Sequence, residues 1–460
     1  MIISSDNAAV SSSPAPDAGV QTVVPPPAHW SVLHSLKLGT FHIGSSLADL
    51  LTSAVWNRVL ITDLGVAAWP VALLSALRYL LAPLTLWAGY RSDTRPIFGS
   101  RRVAYIWLGR LLMLLSLPLL PLATVEIARD VRTPLGWSIA LLSFLLYGIG
   151  TLVSGAPFLA LVYDSAPYEN RGQAVSIVQV MLVVSFAFIP AIYAVAMPAY
   201  DQALFRRLVL AGMAGAAIFW LFSVWGEERR FATPTTAEAP PGFSAAFSML
   251  WADDRARGYA LFLAMSAFFA FMQDAMLEPF GGDVFGLGVG ETTRFNSYWG
   301  TGVLLGMIGT IVLTRRRRPD QQISTTAWGL ALLGAPLALL GLVALLRMQT
   351  LLMPVLIFFG FGFGIFTIGG VSLLMAMSSE ERAGSYLALW SVIQLVARGA
   401  GIAMGGVIRD GALLLTGEMH MAYATLFLIE AVGIFGALFL LRRVDIVGFA
   451  AGRTTLLPAD

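Results

Sequence analysis

Apolar and polar residues along this chain segregate into long blocks. Apolar runs of about 20 residues recur over most of its length, and that is the length a helix needs to cross a bilayer core of roughly 30 Å. The pattern predicts six spans at 36–60, 67–90, 103–124, 136–160, 173–197 and 206–225. It predicts six more at 259–280, 295–314, 326–346, 352–377, 385–408 and 422–441. The longest polar connection, 226–258, carries Glu227, Glu228, Arg229, Arg230, the Pro240-Pro241 pair and Asp253 to Arg257. It reads as a cytoplasmic linker between two six-helix bundles, 36–225 and 259–441. Residues 1–35 are rich in serine and proline and lack the basic and apolar regions of a signal peptide. They read as a disordered cytoplasmic tail, with 442–460 as a second tail. The expected fold is an all-α membrane protein of twelve transmembrane helices.

Composition agrees. The chain is 57% hydrophobic and 12% charged, about half the charge of a soluble protein. There is no cysteine, so disulfides and thiolate chemistry are excluded. None of the four histidines has metal-ligand spacing and no phosphate-binding loop appears, so an enzyme is not expected. A net charge of +2 gives no sign of a nucleic-acid partner. Of 29 basic residues, 18 fall in loops and tails on the side of the N-terminus. Eight fall on the other side, among them Arg58 and Arg409, and Arg78, Arg110 and Arg398 lie within spans. This bias places both termini in the cytoplasm.

The halves repeat. Spans 1 and 7 each carry an aspartate, Asp49 and Asp274, and each is followed by Leu-Gly-Val at 64–66 and 287–289. Basic loops follow spans 2 and 8, and a Glu-x-Arg loop follows spans 4 and 10 (Glu169 to Arg171, Glu380 to Arg382). Gln179 and Gln394 occupy matching places in spans 5 and 11. Parallel repeats of this kind build the major-facilitator fold.

Charge within a span is costly, so each case demands a reason. His42, Asp49 and Trp56 are seven apart and share a face of span 1 with several serines. That stripe is either a cavity wall or an inter-helix hydrogen-bond seam. Arg78 requires a carboxylate, with Asp49 the first choice; Asp274 and Glu278 are the candidates for Arg398. These pairs either lock the bundle or switch during a conformational cycle. Asp274 and Glu278 also share one helix face just before Pro279, Gly281 and Gly282, which are expected to break or kink span 7. The segment is either a binding site or a helix end at the outer interface. Asp93, Arg101 and Arg102 form a charge cluster after span 2, as a latch between the halves or as simple positive-inside bias.

Two stretches are more distinctive. Residues 49–66, with Asp49, Trp56, Asn57, Arg58 and Asp63, and residues 273–282, with Gln273, Asp274, Glu278 and Pro279, resemble the PucC/LhaA family. Arg91 to Thr94, Arg101 to Trp107 and Asp164 to Glu169 add to the likeness, which covers roughly 35–445. The Trp-Asn-Arg run and the segment Ser185 to Pro190 resemble its PucC branch. The resemblance implies a major-facilitator fold in the inner or intracytoplasmic photosynthetic membrane (the chromatophore) of a phototrophic bacterium. It implies an assembly factor for the peripheral light-harvesting antenna that binds or delivers bacteriochlorophyll as cargo. Antenna polypeptides and pigment-synthesis enzymes are the implied partners. Bacteriochlorophyll is a flat apolar macrocycle whose magnesium takes one axial ligand. On this reading His42, Asn57, Gln273 or Glu278 supplies an axial or peripheral contact, with Asp49, Arg58 and Asp274 beside them. The alternative is a secondary transporter of a small solute or tetrapyrrole; the sequence offers few candidate carboxylates and no evident proton relay for it.

Overall fold

The structure, a computed structural model, describes residues 30–95, 97, 100, 102–227, 251, 254–315, 322–376 and 383–443. Within them the chain forms twelve long helices. They are α1 (32–63), α2 (68–94), α3 (Arg102–Arg129), α4 (Pro134–Asp164), α5 (Arg171–Ala196) and α6 (Gln202–Val224). The second set is α7 (254–285), α8 (Val289–Thr314), α9 (Ile323–Leu346), α10 (Leu352–Ala376), α11 (Ala383–Thr416) and α12 (Met419–Arg443). Eleven helices are long and apolar enough to cross a membrane by length and composition. The twelfth, α1, is a continuous helix diluted by Lys37, His42 and Asp49. Helices overrun the apolar windows because their polar ends continue the same backbone hydrogen bonding.

Four interruptions mark these helices, and three have a proline as their local cause. Pro83 and Pro118 lack an N–H and sit where α2 and α3 bend. In α1, two wide π turns at Leu51–Val55 and Val59–Asp63 flank Trp56, Asn57 and Arg58. Such turns cluster at functional sites. In α7, a 3-10 turn at Met272–Ala275 separates Asp254–Ala270 from Leu277–Phe285. Pro279 is the cause, since it cannot donate to the carbonyl one turn upstream. The break therefore precedes the proline. This corrects the expectation that Gly281 and Gly282 join in it: both remain helical, and the helix ends at Gly286, whose φ is 69°.

The first six helices and the last six each pack among themselves, and the two sets meet along α2 against α11 and α5 against α8. Small residues set the approach: a Cβ on Gly399 would lie 2.9 Å from the Tyr79 Cβ, and one on Gly290 2.5 Å from the Ala194 carbonyl. At the end of the bundle away from the chain termini, α1 also packs on α7. Arg58 donates to Asp63 at 3.0 Å and to the Leu287 carbonyl at 2.8 Å, over Gly282. Arg409 reaches Asp283 at 2.7 Å and Asp410 at 2.8 Å; Asp410 accepts from the Trp69 backbone and Asp283 from Tyr423. Arg58 and Arg409 are thus buried helical residues, which corrects their assignment to outer loops. A carboxylate and a carbonyl engage Arg58 and two carboxylates engage Arg409, so each helix continues through the charge. At the opposite end, Glu227 accepts from Lys37 at 2.6 Å and bonds His34 at 2.7 Å, which ties α1 to the chain after α6.

Candidate functional site

The mid-membrane charges gather on α1, α2, α7 and α11, around the α2–α11 seam between the halves. Asp49 of α1 accepts from Arg78 of α2 at 2.7 Å and from the Tyr147 hydroxyl of α4 at 2.6 Å. Asp274 of α7 accepts from Arg398 of α11 at 2.6 Å. Tyr79 joins the pairs: Arg78 donates to its hydroxyl at 2.7 Å, and the Arg398 guanidinium lies 4.4 Å from its ring. Phe271 supports Arg398 from 3.8 Å. Asp49 is 20% exposed and Arg78 17%, although both sit halfway along their helices. Partial exposure at that depth leaves this pair reachable from outside the packed core.

The polar stripe of α1 faces α4 throughout. His42 meets the edge of Phe158, Asp49 bonds Tyr147, and Trp56 packs on Phe144 with centroids 4.9 Å apart. Trp56 also donates to Thr124. His42 is half-buried, and no described residue hydrogen-bonds either ring nitrogen. Phe41 stacks on Phe158 at 3.6 Å, and the Arg110 guanidinium lies 4.1 Å from Phe41 and 4.6 Å from Trp220.

The second half offers a different set. Glu278 is 2% exposed and accepts from Asn296 of α8, and its other oxygen has no partner. Glu278 therefore lies inside the packed bundle rather than on its surface. Gln273 donates to the Ala270 carbonyl at 3.1 Å, and its side-chain oxygen is unengaged. Glu430 of α12 is fully buried, and neither of its oxygens is hydrogen-bonded. Phe271, Trp299 and Phe363 pack together beside this cluster.

The remaining candidates lie elsewhere. Asn57 accepts from Ser75 at 2.9 Å in the packed interior, and its amide nitrogen has no partner. Arg58 belongs to the distal closure rather than the mid-membrane group. Arg102 pairs with Asp164 and donates to the Ala160 carbonyl at 2.7 Å, so it joins α3 to α4 within one half. Arg101 and the Asp93 side chain lie outside the described residues. Gln179 is exposed and Gln394 half-buried. Tyr79, Tyr147, Arg110, Asp283 and Glu430 were not singled out as site residues from the sequence. For Arg110 and Glu430 a signal existed, a charge inside an apolar run. The tyrosines read as ordinary core.

Comparison with known proteins agrees with this architecture. Residues 55–449 match the family described as PUCC protein. Protein PucC of Rhodovulum sulfidophilum is 29% identical over 387 residues, covering 82% of this chain and 84% of its own. The bacteriochlorophyll synthase 44.5 kDa chain of Rhodobacter capsulatus is 29% identical over 432 residues, covering 92% and 96%. Among solved structures, the nucleoside transporter NupG superposes with a TM-score of 0.65 at 13% identity, covering 89% of this chain and 99% of its own. At that identity the likeness establishes the major-facilitator fold alone.

Proposed function

The chain belongs to the PUCC protein family, and from that premise we propose that it is a non-enzymatic assembly factor for the peripheral light-harvesting antenna. It receives bacteriochlorophyll within the membrane and hands it to antenna polypeptides. It resides in the inner or intracytoplasmic photosynthetic membrane with both termini in the cytoplasm. One relative is itself named for bacteriochlorophyll.

The observation that carries the reading is His42. An imidazole that no described residue hydrogen-bonds, half-buried beside stacked phenylalanines, has the chemistry of an axial ligand to magnesium against an apolar macrocycle. Gln273 and Glu278 add unengaged oxygens in the other half. Bound pigment supplies only a Lewis-acidic centre and a flat apolar face; the protein's part is to bind, orient and release it. On the outer face of α5, Phe188, Ile192 and Val195 line a shallow apolar groove. A transmembrane antenna helix is the partner such a face accommodates.

The test is the near-infrared absorbance of protein purified in detergent from a pigment-producing host. Copurifying bacteriochlorophyll is expected, and joint substitution of His42, Asn57, Gln273 and Glu278 should remove it. An unchanged pigment content in that fourfold variant sinks the assignment of the site.

The second reading is alternating-access transport of a small solute or tetrapyrrole. It is favoured by the two ion pairs facing each other across the α2–α11 seam with Tyr79 between them. It predicts gradient-driven uptake into liposomes that is lost on neutralising Asp49 or Asp274. Colourless protein that binds no antenna subunit and moves a solute would establish this reading over the first.

A further inference from the structure

A buried carboxylate needs a counter-charge or a set of donors. Asp49, Asp274 and Asp283 each have an arginine, at 2.7, 2.6 and 2.7 Å. Glu278 and Glu430 do not. Glu430 is fully buried, and neither of its oxygens has a donor. Glu278 is 2% exposed; one oxygen accepts from Asn296 of α8 and the other has no partner. The charges around them do not make up the deficit. Asp274 of α7 acts on both, and it is already committed to Arg398. Arg58 of α1 also acts on Glu278, but its donors go to Asp63 and the Leu287 carbonyl. A carboxyl buried in this way is held as the neutral acid, because a bound proton removes the charge that burial penalises.

Their position gives those protons a consequence. The 3-10 turn at Met272–Ala275 interrupts α7, and such a stretch within a helix often marks a functional hinge. Glu278 lies just beyond it in the short segment Leu277–Phe285. Helix α12, which carries Glu430, packs against both the turn and that segment. The same segment holds the distal closure: Gly282 lies under Arg58, and Asp283 receives Arg409 and Tyr423. Moving the segment at the turn parts the closure and admits water to both carboxyls in one motion. We infer that Glu278 and Glu430 are proton-binding sites that each hold a proton while the distal end is closed and release it when this segment moves. The inference goes beyond both functional readings and depends on neither. Its sign follows from linkage. The closed form binds more protons, so acid favours closure, and closure weakens as the pH rises.

Two measurements on purified full-length protein test this. The first is infrared absorbance at about pH 7. The carbonyl stretch of unionised carboxyl groups should be present and shift in heavy water. Glu278→Gln and Glu430→Gln should each remove part of it, and Asp130→Asn, at an exposed site, none. The second is the distance between spin labels at Leu135→Cys and Leu414→Cys, exposed residues at the distal ends of α4 and α11 in a chain with no other cysteine. Between about pH 5 and about pH 9 the ratio of closed to open molecules should fall by up to about tenfold per pH unit for each proton released. The Glu278→Gln, Glu430→Gln double variant should stay closed throughout. A distance that ignores pH overturns the inference without any carboxyl variant having to fold. So does a pH response that survives the double substitution, which would assign it to another group such as Asp63. Absence of the unionised band, or a band that neither substitution diminishes, overturns it as well.

Discussion

The two halves share a scaffold and carry opposite charge excesses. In the first, Arg78 and Arg110 stand against Asp49, with His42 unengaged beside them. In the second, Asp274, Glu278 and Glu430 stand against Arg398. Equivalent first helices supply one aspartate each, and each aspartate pairs with an arginine, so the repeat persists in the backbone and in that pair. Around the pair the chemistry has diverged. The first half holds an arginine without a carboxylate partner and an imidazole that no described residue hydrogen-bonds. The second holds buried carboxyl oxygens that have no donor. A duplicated fold thus presents two chemically distinct sides to the seam between the halves.

This contrast can be broken by substitution. The largest effect is expected from Asp49→Asn, which leaves two buried guanidinium groups without an anion. Unpairing a buried ion costs about 3–5 kcal/mol, read as a loss of thermal stability in detergent. Asp274→Asn should cost about half as much, because Arg398 is more exposed and Phe271 and Tyr79 still cover it. Equal losses would erase the asymmetry.

Next in size is Gly282→Val. A Cβ there falls 2.5 Å from the Arg58 guanidinium carbon, so Arg58 must leave the Leu287 carbonyl. Overpacking of this kind costs about 1–3 kcal/mol and should loosen the distal closure. Because the chain has no cysteine, a single cysteine placed at Thr62 can report it as faster maleimide labelling. Unchanged labelling would show that Arg58 does not hold that end.

Glu430→Leu should go the other way. It removes a fully buried carboxyl with no hydrogen bond, so stability should hold or rise by about 1 kcal/mol. A loss comparable to that of Asp49→Asn would mean that Glu430 has a structural partner and that the second half has no acid excess.

The smallest effect concerns Glu227. Burial alone raises its carboxyl, but hydrogen bonds from His34 and Lys37, and their charges, outweigh it and hold it below the ordinary 4.5. Its contribution is therefore present above that value and lost as the pH falls through the lowered one. The thermal midpoint should drop on acidification below about pH 4, and Glu227→Gln should flatten that limb. An unaltered acid limb would separate this tie from the stability of the first half.

Much of this was readable from residue pattern. Twelve apolar runs fixed the spans, and Asp49 was chosen for Arg78 because their spans are neighbours in sequence. Arg409 falls just past its apolar window because a charge ends the window even when a carboxylate one helix away neutralises it, and Arg58, at the end of the 36–60 window, was counted with the outer loop although it is buried. The Gly281-Gly282 pair suggested a break that the structure places earlier, since the constraint lies in the carbonyl facing Pro279. Tyr79 and Tyr147 could not be picked out, because a tyrosine in an apolar run looks the same whether its hydroxyl meets lipid, water or a carboxylate. Arg110 was visible as an arginine within a span. Its lack of a carboxylate partner depends on three-dimensional neighbours and could be seen only once α1, α3, α4 and α6 were packed.

The central claim is that the first half, through His42, holds a pigment. The most direct measurement is the molar ratio of bacteriochlorophyll to protein in detergent-purified material, compared between the unaltered chain and His42→Leu. The account predicts bound pigment in the former and a clear fall, or a shifted near-infrared band, in the latter. Colourless unaltered protein, or an identical ratio and spectrum in His42→Leu, would contradict it.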